Sequence, residues 1–97
     1  MRIIAKKALR EFWERHADAE QALKAWYHDA KNAEWKRPTD IRQTYVTASI
    51  LANNRVVFNI RGNTYRLIVA INYDFGIVYI RFVGTHTEYD HIDAESI

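Results

Sequence analysis

The stretch Arg55-Val56-Val57-Phe58-Asn59-Ile60-Arg61-Gly62-Asn63-Thr64-Tyr65-Arg66-Leu67-Ile68-Val69-Ala70-Ile71 decides the fold. Two runs rich in β-branched and aromatic residues flank Gly62-Asn63, a pair suited to a tight two-residue turn. Side chains along a strand alternate faces. A turn at Gly62-Asn63 therefore sets Arg61 opposite Thr64, Asn59 opposite Arg66, Val57 opposite Ile68 and Arg55 opposite Ala70. The other face pairs Ile60 with Tyr65, Phe58 with Leu67 and Val56 with Val69. That second face is wholly apolar or aromatic, so it is the expected core face.

A third run, Ile77–Val83, follows the turn signal Asp74-Phe75-Gly76. Strands over 55–61, 64–73 and 77–83 then make an antiparallel meander. Its core face continues through Ile71 into Val78, Ile80 and Phe82. The opposite face collects Arg55, Asn59, Arg61, Thr64, Arg66, Tyr79 and Arg81. By simple alternation, Arg66 and Arg81 become near-diagonal neighbours. The planar guanidinium fork matches phosphate oxygens, so a sheet face with several arginines is a candidate phosphate-binding surface. A solvated outer face also carries charges, and the strand pattern alone leaves both readings open.

Upstream the periodicity is helical. Leu9, Phe12, Trp13 and His16 recur at i, i+3, i+4 and i+7, and Leu23, Trp26, Tyr27 and Ala30 lie on one face of a second helix. Asp18 with Gln21 three residues on reads as the N-cap of that second helix. A helical hairpin covering the core face follows. Arg2–Ala5 suits a short first strand, and Pro38, the only proline, opens a short helix over 39–45. Residues 48–54 have no clear assignment before the Asn53-Asn54 turn. The tryptophans suit packing.

Composition bounds the chemistry. The 97 residues form a single domain over 1–97, and with 48% hydrophobic residues the chain can build a packed core without staples. There is no cysteine, which removes disulfides and thiolate metal sites. Four scattered histidines give no metal motif, and the three glycines make no phosphate loop. The charged N-terminus is unlike a signal peptide and no run is long enough to span a bilayer, so a cytoplasmic location and no membrane partner are expected. Net charge is +2, unevenly spread. Glu88, Asp90, Asp93 and Glu95 fall in the last ten residues. The first 87 residues hold all 14 basic residues against 8 acidic ones, a surplus of six.

The segment Thr85-His86-Thr87-Glu88-Tyr89-Asp90 contains a T-x-x-E capping box, which starts a short helix at His86. On that helix His86, Tyr89 and Asp90 share a face. Asp90 is placed to orient His86, whose imidazole titrates near neutrality and suits general acid or base work. An ordinary exposed histidine at a helix start has the same sequence.

Two ordered strings, Val57-Phe58-Asn59-Ile60-Arg61-Gly62-Asn63-Thr64-Tyr65-Arg66-Leu67 and Tyr79-Ile80-Arg81-Phe82-Val83-Gly84-Thr85-His86-Thr87-Glu88-Tyr89-Asp90, resemble the HigB-type toxins of the RelE-like superfamily. The helical hairpin and the Lys36-Arg37-Pro38 region resemble them too. The resemblance implies an α+β, RelE-like fold: an N-terminal helical hairpin packed on an antiparallel sheet, with a short C-terminal helix. It also implies ribosome-dependent endonucleolytic cleavage of mRNA, and a cognate antitoxin, commonly a helix-turn-helix protein. Relatives in the wider superfamily often place a lysine on the sheet, whereas this chain has no lysine after Lys36. His86 is then the main titratable candidate. The expected catalytic set is Arg66, Arg81, His86 and Tyr89, with Arg55, Asn59, Arg61 and Tyr79 binding substrate, Asp90 orienting His86, and no metal or cofactor. A noncatalytic RNA-binding module would use the same face, and an inactive relative would bind only its antitoxin.

Overall fold

The computed structural model describes residues 1–97. Strand β1 (Arg2–Ile4) leads into helix α1 (Lys6–Arg15), a single 3-10 turn (Ala17–Ala19) and helix α2 (Glu20–Asn32). Helix α3 (Pro38–Thr44) follows, then strands β2 (Ser49–Ile50), β3 (Arg55–Ile60), β4 (Tyr65–Asn72) and β5 (Ile77–Thr85), and a last short helix α4 (His86–Tyr89). The sheet order is β1-β5-β4-β3-β2. The class is α+β, with the helical hairpin on one face of the sheet.

The expected hairpin register holds. Asn59 pairs with Arg66, Val57 with Ile68, Arg55 with Ala70, and Ile60 with Tyr65. The ladder stops one residue short of the turn on each side because Arg61 takes a left-handed conformation (φ 53°), followed by Gly62 at φ 63°. β1 adds a feature absent from the meander: it runs parallel to β5, with Arg2 beside Ile77 and Ile4 beside Tyr79. The sheet is therefore mixed.

The inner face carries the main core. Val56, Phe58, Leu67, Val69, Ile71, Val78 and Ile80 pack against Leu9 and Phe12 of α1 and Leu23, Trp26 and Ala30 of α2. Phe58 is the hub. Trp26 and Tyr45 meet its ring edge-on at 5.4 and 5.2 Å, and Trp35 stacks at 6.0 Å. Such aromatic pairs add roughly 0.5–1.5 kcal/mol each beyond area burial. Trp26 and Trp35 serve packing as expected, whereas Trp13 is only half-buried.

Two expectations are corrected. Asp18 does not cap α2, which begins at Glu20 with Ala19 at its N-cap. Asp18 lies in the 3-10 turn, accepting a hydrogen bond from the Tyr65 hydroxyl and pairing with Arg61 at 3.2 Å. It thus ties the helical hairpin to the β3–β4 turn, a long-range use that outweighs its capping preference. The second correction is a β-bulge. Ile68 faces Phe82 but Val69 faces Ile80, so Arg81 is an extra residue in β5. A bulge of one residue flips everything beyond it to the other face. Phe82 therefore leaves the core face and joins a second cluster with Val57, Ile68 and Ala94.

That cluster shows that the outer face is not simply solvated. The segment 90–97 folds back over it, and Ile92, Ala94 and Ile97 pack against the Val57–Ile68–Phe82 patch. Alternation alone put Val57 and Ile68 on this face without anything to cover them.

Candidate active site

The outer face is divided by this C-terminal segment. At one end stands Arg66 on β4, between Asn59 on β3 and Gly84 on β5. Its guanidinium donates to the Asn63 carbonyl oxygen at 3.2 Å and lies 5.7 Å from the centre of the Tyr89 ring. Arg66, Asn59 and Tyr89 are half-buried. The cation–aromatic contact limits the motion of the guanidinium while leaving other donors of its fork free.

Gly84 makes this arrangement possible. A Cβ at that position would lie 2.4 Å from Cζ of Phe82 and 3.1 Å from Oε1 of Glu88. The missing side chain lets the Phe82 ring and the first turn of α4 close over the strand beside Arg66. Sequence reasoning passed over Gly84. Its signal was a glycine inside a strand, a mark of close approach.

α4 is held by the expected capping box. The Glu88 amide donates to Oγ1 of Thr85 at 3.1 Å, and the Thr85 amide donates to Oε1 of Glu88 at 2.8 Å. The Thr85 amide bond holds the Glu88 carboxyl below its ordinary range, with smaller help from the Thr85 hydroxyl and the charges of His16 and Arg15; partial burial opposes them. His86 then opens the helix, with Nδ1 3.4 Å from Oδ2 of Asp90 and both side chains about half exposed. The imidazole thus lies beside the Asp90 carboxylate and open to solvent, on the helix that also carries Tyr89.

The other predicted residues lie apart from this group. Arg81 is the bulge residue and is not diagonal to Arg66; Phe82 occupies that position. Gly84, the partner of Arg66, is three residues along β5 from Arg81, roughly 10 Å of strand. Arg81 donates through Nε to the Ile97 backbone oxygen at 3.3 Å. Arg55 donates to the same oxygen through Nε at 3.0 Å and Nη2 at 2.6 Å. Arg61 points from the hairpin turn to Asp18. Tyr79 sits opposite Ala70 and, with Arg55, Asn53, Asn54 and Asn72, lines a cleft of about 430 Å³ at the far end of the face.

The arrangement offers one oriented arginine, an aromatic ring and an imidazole–carboxylate pair on a shallow, open surface. That suits a polymeric anion better than a small enclosed substrate. Residues 19–92 match the family model of the HigB toxin, described as the RelE-like toxic component of a toxin–antitoxin system. The chain belongs to the HigB toxin family. Similar relatives include the mRNA interferase toxin HigB of Escherichia coli strain K12 and the mRNA interferase HigB of Shigella flexneri. Each is 27% identical over 96 residues, spanning 97% of this chain and 92% of the relative. As the toxic component of such a system, this HigB-family chain has an antitoxin as partner. None of its helices is long and apolar enough to cross a membrane.

Proposed function

We propose that the protein is an endoribonuclease that cleaves mRNA on the ribosome, in the cytoplasm, and is held in check by an antitoxin of the helix-turn-helix kind. The observation that carries this reading is the grouping of Arg66, Tyr89 and the His86–Asp90 pair around α4 on an open face. It is joined by the names borne by relatives along nearly the whole chain.

In the reaction, a ribose 2′-oxygen attacks the adjacent phosphorus and the bond from phosphorus to the 5′-oxygen breaks. The attacking hydroxyl loses its proton, and the leaving oxygen gains one. The products are a 2′,3′-cyclic phosphate and a 5′-hydroxyl. Arg66 balances charge on the pentacoordinate phosphate, a role commonly worth about 2.7–4 kcal/mol for one preorganised donor. His86, oriented by Asp90, moves a proton as general acid or base. Tyr89 stacks on a base or positions a phosphate. No step calls on a metal or cofactor. Asn59 supports the substrate beside Arg66. Arg81, Arg55 and Arg61 bind flanking phosphates, with Arg55 and Arg81 exchanging the Ile97 oxygen for phosphate oxygens, and Tyr79 contacts a more distant nucleotide. Arg66 lies outside the main core, so its loss spares the packing.

The test is single-turnover cleavage of ribosome-bound mRNA by Arg66→Ala, with folding checked by circular dichroism. A loss of about 10²–10³ in rate is expected. A folded variant with wild-type activity contradicts the role of Arg66.

A further inference from the structure

The segment 90–97 is anchored to the outer face in two ways. Ile92, Ala94 and Ile97 pack on the apolar patch of Val57, Ile68 and Phe82. Polar contacts hold its far end. One oxygen of Ile97 accepts three hydrogen bonds, from Nε and Nη2 of Arg55 at 3.0 and 2.6 Å and from Nε of Arg81 at 3.3 Å. The Asn53 side-chain amide donates to the Glu95 carbonyl oxygen at 3.1 Å. Asn53 and Arg55 also line the cleft of about 430 Å³, so the segment ends at the edge of that cleft.

The arginine pair suits an anion better than its present occupant. A single oxygen offers two lone pairs, yet three donors converge on this one. Neither guanidinium pairs with an Asp or Glu side chain, since the ion pairs of the chain involve other residues. Two cations sharing one acceptor repel each other, and a phosphate supplies both the counter-charge and the missing acceptor oxygens. The segment itself carries Asp90, Asp93 and Glu95 and no Lys or Arg, so it screens the arginines as well as covering them. Arg66 is bonded elsewhere, to the Asn63 carbonyl oxygen. The covered arginines are therefore the flanking ones. Residues 93–97, which supply the bonded oxygens, lie past the stretch 19–92 that matches the family.

We propose that residues 90–97 are an autoinhibitory strap over a phosphate site made by Arg55 and Arg81, released when a backbone phosphate of RNA takes the place of the Ile97 oxygen. Strap and phosphate compete for the same donors, so the binding of one excludes the other. Release re-exposes the Val57–Ile68–Phe82 patch to water, which keeps the closed form favoured in the free protein. A ligand that binds only the open form has its apparent affinity reduced by the fraction of molecules that are open. Loosening the strap therefore tightens phosphate binding without adding any contact. The choice of RNA as ligand rests on the function proposed above; the strap and its anion site do not.

The experiment uses the full chain and two variants that loosen the strap without changing an arginine or the net charge. Ile92→Ser/Ile97→Ser removes apolar anchors. Asn53→Gly removes the bond to Glu95 and suits the left-handed backbone at that position (φ 60°). Folding of each is checked by circular dichroism. Pyrophosphate is titrated by calorimetry, and a labelled 2′-O-methyl RNA oligonucleotide, which has no free 2′-hydroxyl to react, by fluorescence anisotropy. The serine pair should bind both probes about tenfold tighter, the gain when the open form rises from roughly a tenth of the molecules to nearly all. Asn53→Gly should gain less, and adding Arg81→Ala to the serine pair should cancel its gain. In wild type, pyrophosphate should shift the methyl NMR resonances of Ile92, Ala94 and Ile97. Wild-type affinity for both probes in the folded variants overturns the strap. So does a gain that survives Arg81→Ala, or phosphate binding that leaves those methyl resonances in place. Tighter pyrophosphate binding with no gain for RNA upholds the strap and contradicts the RNA reading.

Discussion

His86 is the residue whose setting differs most from that of its chemical equivalents. It pairs with Asp90 on the helix that brings Tyr89 to Arg66. His28 and His91 are exposed, and neither forms an ion pair with a carboxylate. His16 stacks on Phe12 at 4.3 Å and meets Tyr65 edge-on, so its removal costs packing. His86→Ala is expected to reduce single-turnover cleavage by about 10²–10⁴-fold, the usual range for a general acid or base. His28→Ala and His91→Ala should stay close to wild type. Equal rates for all three would move proton transfer to Tyr89 or to the substrate. At this scale the sequence was legible where residues act locally. The Thr85–Glu88 capping box and the His86–Asp90 pair follow from spacing of three and four. Gly84 and Asp18 were not legible, because each is defined by a distant partner: the Phe82 ring for one, Tyr65 and Arg61 for the other.

α4 is a single helical turn, too short to persist without its box and its contacts. Glu88 is the group that makes its docking sensitive to pH. Its carboxyl is held below the ordinary value near 4.5 chiefly by the Thr85 amide. A depressed carboxyl contributes stability that is fully present above the unfolded value and lost as pH falls through the folded one. α4 should thus stay docked at neutral and mildly acidic pH and loosen only below the ordinary carboxylate range. The Thr85 amide resonance, followed by NMR, should move with a midpoint below about 4.5, and Glu88→Gln should abolish that transition. A midpoint at or above 4.5 contradicts the hydrogen-bond assignment. Among the strands, the β3–β4 register was legible because period-two alternation and Gly62-Asn63 agree on it. The bulge at Arg81 was not. Ile80-Arg81-Phe82-Val83 alternates acceptably in the unbulged register too, and the choice is made by Ala94 and Ile68 closing around Phe82. β2, only Ser49–Ile50, is too short to leave a pattern.

Over the whole molecule, the main core lies between sheet and helices, and a short C-terminal segment packs on the outer face and divides it. The layered α+β design was legible from the switch between helical and strand periodicity. The parallel placement of β1 was not, since its partner β5 lies more than seventy residues away and parallel pairing leaves no turn to read. The fold-back of residues 90–97 was hidden by its acidic composition, which reads as a solvated tail; Ile92, Ala94 and Ile97 were its apolar trace. The central claim is that this face cleaves RNA by attack of the 2′-hydroxyl, with Arg66 and α4 at the reacting phosphate. Mapping the ends of the fragments released from ribosome-bound mRNA tests it most directly. The account predicts 2′,3′-cyclic phosphate and 5′-hydroxyl ends; 3′-hydroxyl and 5′-phosphate ends would contradict it.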